Sequence, residues 1–154
     1  MDCAAGTGIY AFYLADKGHV VTATDMSVFE DNSFDVVLNM GPFYHLITES
    51  EREKCLSECI RVLRKGGLLR HDDENCFWTD TYYSSKEEME VLYHSHQLRV
   101  TDHFVQDGLA PLLHEKVDSW SEEKFKIWCD YHYSVCRESS VLGSSNHAVI
   151  IGTK

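Results

Sequence analysis

Three groups of residues have the types and spacing to do chemistry. The first is Asp2-Cys3-Ala4-Ala5-Gly6-Thr7-Gly8. Gly6 and Gly8 let the backbone take left-handed angles and let a ligand approach where a Cβ would collide. A helix starting near Gly8 turns unpaired N–H groups and a positive dipole end toward the same place. The second is Asp25, which closes the apolar run that begins at Val20. A carboxylate at the carboxyl end of a strand can accept two hydrogen bonds from vicinal ribose hydroxyls. The third is Gly41-Pro42-Phe43-Tyr44-His45-Leu46. There His45 can act as a general base near neutral pH and Tyr44 can orient an acceptor. A His bonded to backbone would fill the same position structurally, and the residues alone leave both readings open.

Gly6-x-Gly8-x-x-Ala11 also fits the dinucleotide fingerprint, which by itself discriminates poorly. Asp2, four residues before Gly6, does more: Asp2-x-x-x-Gly6-x-Gly8 resembles motif I of the class I S-adenosylmethionine-dependent methyltransferases. The resemblance continues through Asn32–Asn39, Gly41–Leu46 and Arg61–Leu69, in the family's order, and covers most of residues 1–69. Ala4 departs from it, standing where motif I often has its first Gly. The resemblance implies a Rossmann-like, doubly wound α/β fold with a mostly parallel seven-stranded sheet and an antiparallel last strand. It implies S-adenosylmethionine as cofactor and a small molecule as methyl acceptor. On that basis the backbone from Ala4 through Gly6 to Gly8 packs against the methionine part, Asp2 helps hold its amino group, Asp25 takes the ribose, Met26 lies against the adenine, and Asn39 and Met40 border the amino acid end. Tyr44 and His45 then face the acceptor.

Stepping from these residues to the elements that position them, Ile9–Lys17 reads as a helix and Val20–Asp25 as a strand. Residues 48–65 carry a strong helix signal, with Cys55, Leu56, Cys59, Ile60 and Leu63 on one face. Thr48-x-x-Glu51 reads as a capping box; Arg61, Arg64 and Lys65 stand at the negative end, and Gly66 stops the helix. Ser85-x-x-Glu88 starts another helix to about His96, with Met89, Leu92, Tyr93 and His96 on one side. Leu98–Val105 and Ala148–Thr153 read as strands. The residues between them, 106–147, hold Trp120 and a helix over about 122–136. This helical insertion is rooted beside the pocket and is expected to form a lid carrying Trp120, Trp128 and Tyr131. Asn146, His147 and His114 are weaker substrate-contact candidates.

Three places do not close. Met1–Cys3 is short for a central strand, so the domain is expected to start upstream. The span from Asp25 to Phe34 is too short for a crossover carrying a helix and a strand. A segment missing near residues 27–29 would hold the acidic residue that, in the family, accepts from the adenine amino group. The abrupt change from Leu68-Leu69 to Arg70-His71-Asp72-Asp73 predicts another interruption near 69–72.

At 154 residues with 44% hydrophobic content the chain suits one domain, 1–154. A formal charge of -11 opposes a polyanionic partner, so nucleic acid is not expected. There is no apolar run long enough to span a bilayer and no basic leader, and the expected location is the cytoplasm. Cys55, Cys59, Cys129 and Cys136 fall on apolar helix faces as core thiols, and no metal set is complete. His94-x-His96 and His71–Glu74 read as solvated. Two other functions use the same turn: an NAD-linked oxidoreductase, and a non-catalytic methyltransferase-like binding module.

Overall fold

The computed structural model describes residues 1–3, 9–24, 29–40, 42–72, 82–143, 145 and 147–154. In chain order it forms β1 (Asp2–Cys3), α1 (Ile9–Asp16), β2 (Ala23–Thr24), β3 (Phe34–Met40), α2 (Pro42–His45), α3 (Glu49–Val62), β4 (Leu63–Asp72) and α4 (Lys86–Ser95). There follow β5 (Arg99–Val105), a short 3-10 turn, α5 (His114–Val117), α6 (Glu122–Val135), α7 (Ser139–Leu142) and β6 (Ala148–Thr153). The strands make one mixed sheet in the order β2-β1-β3-β4-β6-β5. β1 to β4 are parallel, and β6 runs antiparallel between β4 and β5.

The two polar-capped helices cover one face. In α3 the Thr48 hydroxyl accepts from the Glu51 amide while the Glu51 carboxylate accepts from the Thr48 amide, so two orphan donors of the first turn are satisfied locally. Ser85 and Glu88 repeat the arrangement in α4. Leu56, Cys59 and Val62 of α3 and Met89 and Tyr93 of α4 are buried with Val37, Leu69 and Ile150 of the sheet in one core. Tyr93 lies directly on the β6 backbone: a Cβ added at Gly152 would stand 2.7 Å from its ring, so only glycine fits there. A smaller cluster of Val105, Cys136 and Leu142 fastens α7 and the end of α6 to β5.

Several expectations change. The described residues form six strands, with β2 at one edge. β2 is shorter than the apolar run from Val20 suggests, and Val20 itself is fully exposed. Helix α3 ends at Val62, because Leu63 turns extended and pairs with Phe34. The Lys154 ammonium closes that end, donating to the Ile60 and Leu63 carbonyls at 2.8 and 2.7 Å. β4 then continues through Leu69 to Asp72, paired on both sides. β5 is parallel to β1–β4 in direction, but its paired neighbour is the antiparallel β6. Cys59 and Cys136 are core thiols, whereas Cys55 and Cys129 are only half-buried. His96 is not simply solvated: its Nε2 lies 2.9 Å from a Glu53 carboxylate oxygen. Among the described residues no helix is long and apolar enough to cross a membrane.

Candidate functional site

Register decides where a site can be. Cys3 is level with Thr24 on one side and Asn39 on the other, and adjacent strands are about 4.8 Å apart. The ends of β1, β2 and β3, at Cys3, Thr24 and Met40, therefore stand at the same edge of the sheet, within about 10 Å of one another. The chain moves from β1 outward to β2, then returns past β1 to β3, so the strand order reverses between β1 and β3. Such a reversal opens a crevice at the carboxyl ends of the strands, the usual ligand position of open α/β sheets. In sequence, those three strand ends are followed by a Gly-rich segment, a carboxylate and a Tyr-His pair, residue types suited to a ribose-containing cofactor with a charged amino acid tail. Ala4, Gly6, Gly8, Asp25, Met26 and Asn146 lie outside the described residues. Asp2, Met40 and Tyr44 are placed by their backbone, at the ends of β1 and β3 and within α2.

Helix α2 is held from below. Phe43 is buried in the core, and the Leu46 amide donates to the Phe43 carbonyl. Arg52, buried on α3, donates to the Leu46 and Ile47 carbonyls at 2.7 and 2.8 Å and lies over the Tyr82 ring. A guanidinium that satisfies two consecutive carbonyls fixes the loop that carries His45, and nothing in the sequence pattern marked it. His45, last in α2, is exposed at the edge of the crevice. Asn39 is different. Its side chain shares the Val37 face and is closed from solvent, with Oδ1 3.9 Å from Cys55 Sγ, so it braces β3 against α3. The Cys55 thiol is held below its ordinary range by the Cys59 thiol beside it, against the opposing effect of burial.

A second group stands on the same edge of the sheet. Met40, Asp72, Val149 and Phe104 form one row across β3, β4, β6 and β5. Just beyond that row the Gln106 amide donates to the His147 carbonyl. There His147 Nδ1 donates to Asp107 Oδ2 at 2.6 Å, and the Ser145 hydroxyl donates to the other oxygen of Asp107. Asp107 and Ser145 did not stand out in the sequence. The available signal was pairing: antiparallel strands over 98–105 and 148–153 bring the residues just outside them together. His114, by contrast, is exposed and bonded to the Pro111 carbonyl.

A mixed sheet with this order and a strand-end crevice defines a methyltransferase-like α/β protein. Residues 27–70 match the methyltransferase domain family model, and the fold is methyltransferase-like. The chain is 28% identical over 149 residues to a glycine/sarcosine N-methyltransferase of Aphanothece halophytica, with 77% of this chain covered. It spans about half, 56%, of that relative's length. Among solved structures, an S-adenosylmethionine-dependent methyltransferase from Archaeoglobus fulgidus superposes with a TM-score of 0.68 at 14% identity, covering 99% of this chain and 84% of that one. The 1,6-didemethyltoxoflavin-N1-methyltransferase of Burkholderia thailandensis, solved with its substrate and S-adenosylhomocysteine, gives 0.66 at 14% identity, covering 99% and 69%. At such identities these structures speak to fold alone.

Proposed function

We propose that this chain carries an S-adenosylmethionine-dependent methyltransferase activity toward a small molecule. The observation that supports it most is that β1, β2 and β3 end together at one sheet edge, at the reversal of strand order, and that in sequence these strands are followed by the Gly-rich turn, Asp25 and Tyr44-His45. The cofactor, when bound, supplies a methyl group activated on a sulfonium. The chain's part is to hold it and to exclude water: Asp2 binds the amino group, the backbone from Ala4 to Gly8 cradles the methionine part, Asp25 accepts from the ribose hydroxyls, and Met26 covers the adenine. Met40 borders the amino acid end, with Asn39 bracing it from behind. Tyr44 and His45 bound the acceptor side, on a loop tied down by Arg52. Methyl transfer depends heavily on collinear, close placement of nucleophile and methyl group, which suits a site built mainly from rigid strand ends. The glycine/sarcosine relative favours a small amine as acceptor, and the net charge of -11 is consistent with a small molecule in preference to a polyanion. Residues 106–147 form the lid.

Calorimetry with S-adenosylmethionine and with NAD tests the reading directly. Tight NAD binding without S-adenosylmethionine binding would end it. Asp25→Ala should weaken cofactor binding by roughly 1–3 kcal/mol. Asp35→Ala is the control, since Asp35 is exposed near the opposite end of β3 and pairs with Arg64 at 2.8 Å. Replacing residues 109–143 by a short turn should leave cofactor affinity nearly intact and abolish turnover. Unimpaired turnover would place acceptor selection elsewhere.

A further inference from the structure

We infer that Asp107 and His147 form a proton-accepting pair for the methyl acceptor, a step that rests on the methyltransferase reading above. The two residues are separated by 40 positions in sequence and meet because β5 and β6 are antiparallel neighbours. Their side chains are 21% and 25% exposed, enough cover to fix them and enough opening to reach a ligand. An ionised carboxylate can only accept, so Asp107 Oδ2, 2.6 Å from His147 Nδ1, assigns the ring proton to Nδ1. The ring's proton-accepting atom is then Nε2. Ser145 locks the carboxylate from its other oxygen and also receives the His147 amide at 3.4 Å, so the pair is a built unit of three residues.

Position gives the pair its use. It stands beyond the row Met40–Asp72–Val149–Phe104, on the same edge from which the Tyr44-His45 loop leaves. β6 is two strands from β3, about 10 Å, a span within the length of a small acceptor and the two side chains that would hold it. An amine is nucleophilic only when its nitrogen lone pair is available, and an ammonium must give up a proton first. His147 Nε2 takes that proton as the acceptor N–H bond breaks. The nitrogen electron pair forms the bond to the methyl carbon, and the methyl–sulfur bond breaks with its pair left on sulfur. The imidazolium so formed faces the Asp107 carboxylate, which stabilises its charge.

The experiment compares the protein with its His147→Gln and Asp107→Asn variants. Three quantities are measured: S-adenosylmethionine affinity by calorimetry, transfer of labelled methyl to glycine and sarcosine across pH, and the ring-nitrogen NMR signals of His147. Both variants should bind S-adenosylmethionine as the parent does and lose about 100-fold or more in kcat. The dependence of kcat on pH seen in the parent should flatten in His147→Gln. It should persist in His132→Gln, a control at the Gly108 turn nearby. The parent should show Nδ1 protonated, with the Nε2 signal moving when S-adenosylhomocysteine and glycine are added. Failure of the parent to bind S-adenosylmethionine overturns the methyltransferase reading itself. Normal cofactor binding with kcat unchanged in both variants overturns the pair as a base. An Nε2 signal unmoved by saturating S-adenosylhomocysteine and glycine overturns it too, whether or not those acceptors are methylated.

Discussion

Helices α3 and α6 begin alike and end differently. Each has 14 residues, a hydroxyl side chain at its N-cap, and two glutamates in its first turn. Each also has apolar residues at helical spacing. Yet α3 buries Arg52, Leu56, Cys59 and Val62, while no residue of α6 is buried. α3 lies along the sheet and holds the site's loop through Arg52. α6 is attached at its carboxyl end, where the Val105 amide donates to the Cys136 carbonyl and Arg137 makes a forked pair with Asp102. Its aromatic residues pack on one another, Trp120 on Trp128 with ring centroids 5.6 Å apart and Trp128 on Tyr131 at 5.8 Å. A helix embedded along its length serves as framework, and one anchored at an end has the freedom that a lid needs.

The sharpest way to break this comparison is to remove one large side chain from each helix. Leu56→Ala opens a cavity in the main core and should cost about 2–5 kcal/mol in urea unfolding. Trp128→Ala removes more atoms from a less enclosed place and is expected to cost under about 1 kcal/mol. Equal losses would mean that α6 is framework after all.

Arg52→Leu comes next. It leaves the Leu46 and Ile47 carbonyls without their charged donor and should cost about 2 kcal/mol. Hydrogen exchange should quicken from Phe43 to Thr48, with α6 unchanged. A uniform loss of protection across the chain would show that Arg52 supports the whole core and not this loop.

Gly108 lies against His132 of α6. Its φ of +53° and the 3.0 Å between an added Cβ and His132 Nδ1 make Gly108→Ala unfavourable by about 1 kcal/mol. Exchange in α6 should quicken while α3 stays protected. The opposite pattern would place the attachment of α6 elsewhere.

The smallest effect is acid sensitivity of the caps. The Glu51 carboxyl is held below its usual range first by the Thr48 hydroxyl and then by the Thr48 amide. Glu88 is lowered in the same way by the Ser85 amide and hydroxyl. A carboxyl whose folded value is depressed stabilises fully above its unfolded value, about 4.3, and that contribution is lost as pH falls through the folded value. Protection in the first turns of α3 and α4 should therefore decline below about pH 4. α6 has Lys124 where the box would need Glu, and Ser121 alone caps it, so its first turn should change less. Thr48→Ala and Ser85→Ala should remove the difference.

Much of the architecture was legible because it is written locally. The boxes at Thr48 and Ser85, the helix over residues 122–135 and the strand Ala148–Thr153 all follow from side chains a few positions apart. The expected end of the first long helix missed by three residues because Leu63 gains a strand partner, Phe34, from 29 positions earlier in the chain. Pairing on both sides of β4 holds the charged residues at its end extended, which local hydropathy does not register.

By itself, then, the sequence determined where elements start, how their ends are satisfied, and which chemical groups stand at the ends of the first strands. These depend on hydrogen bonds and spacings within a turn or two of the chain. Only the tertiary structure decided which of two similar helices is buried, that Asn39 faces inward to brace β3, and that Asp107, Ser145 and His147 meet at one edge. Those outcomes are set by strand order and register, which bring together residues tens of positions apart and which no local pattern specifies.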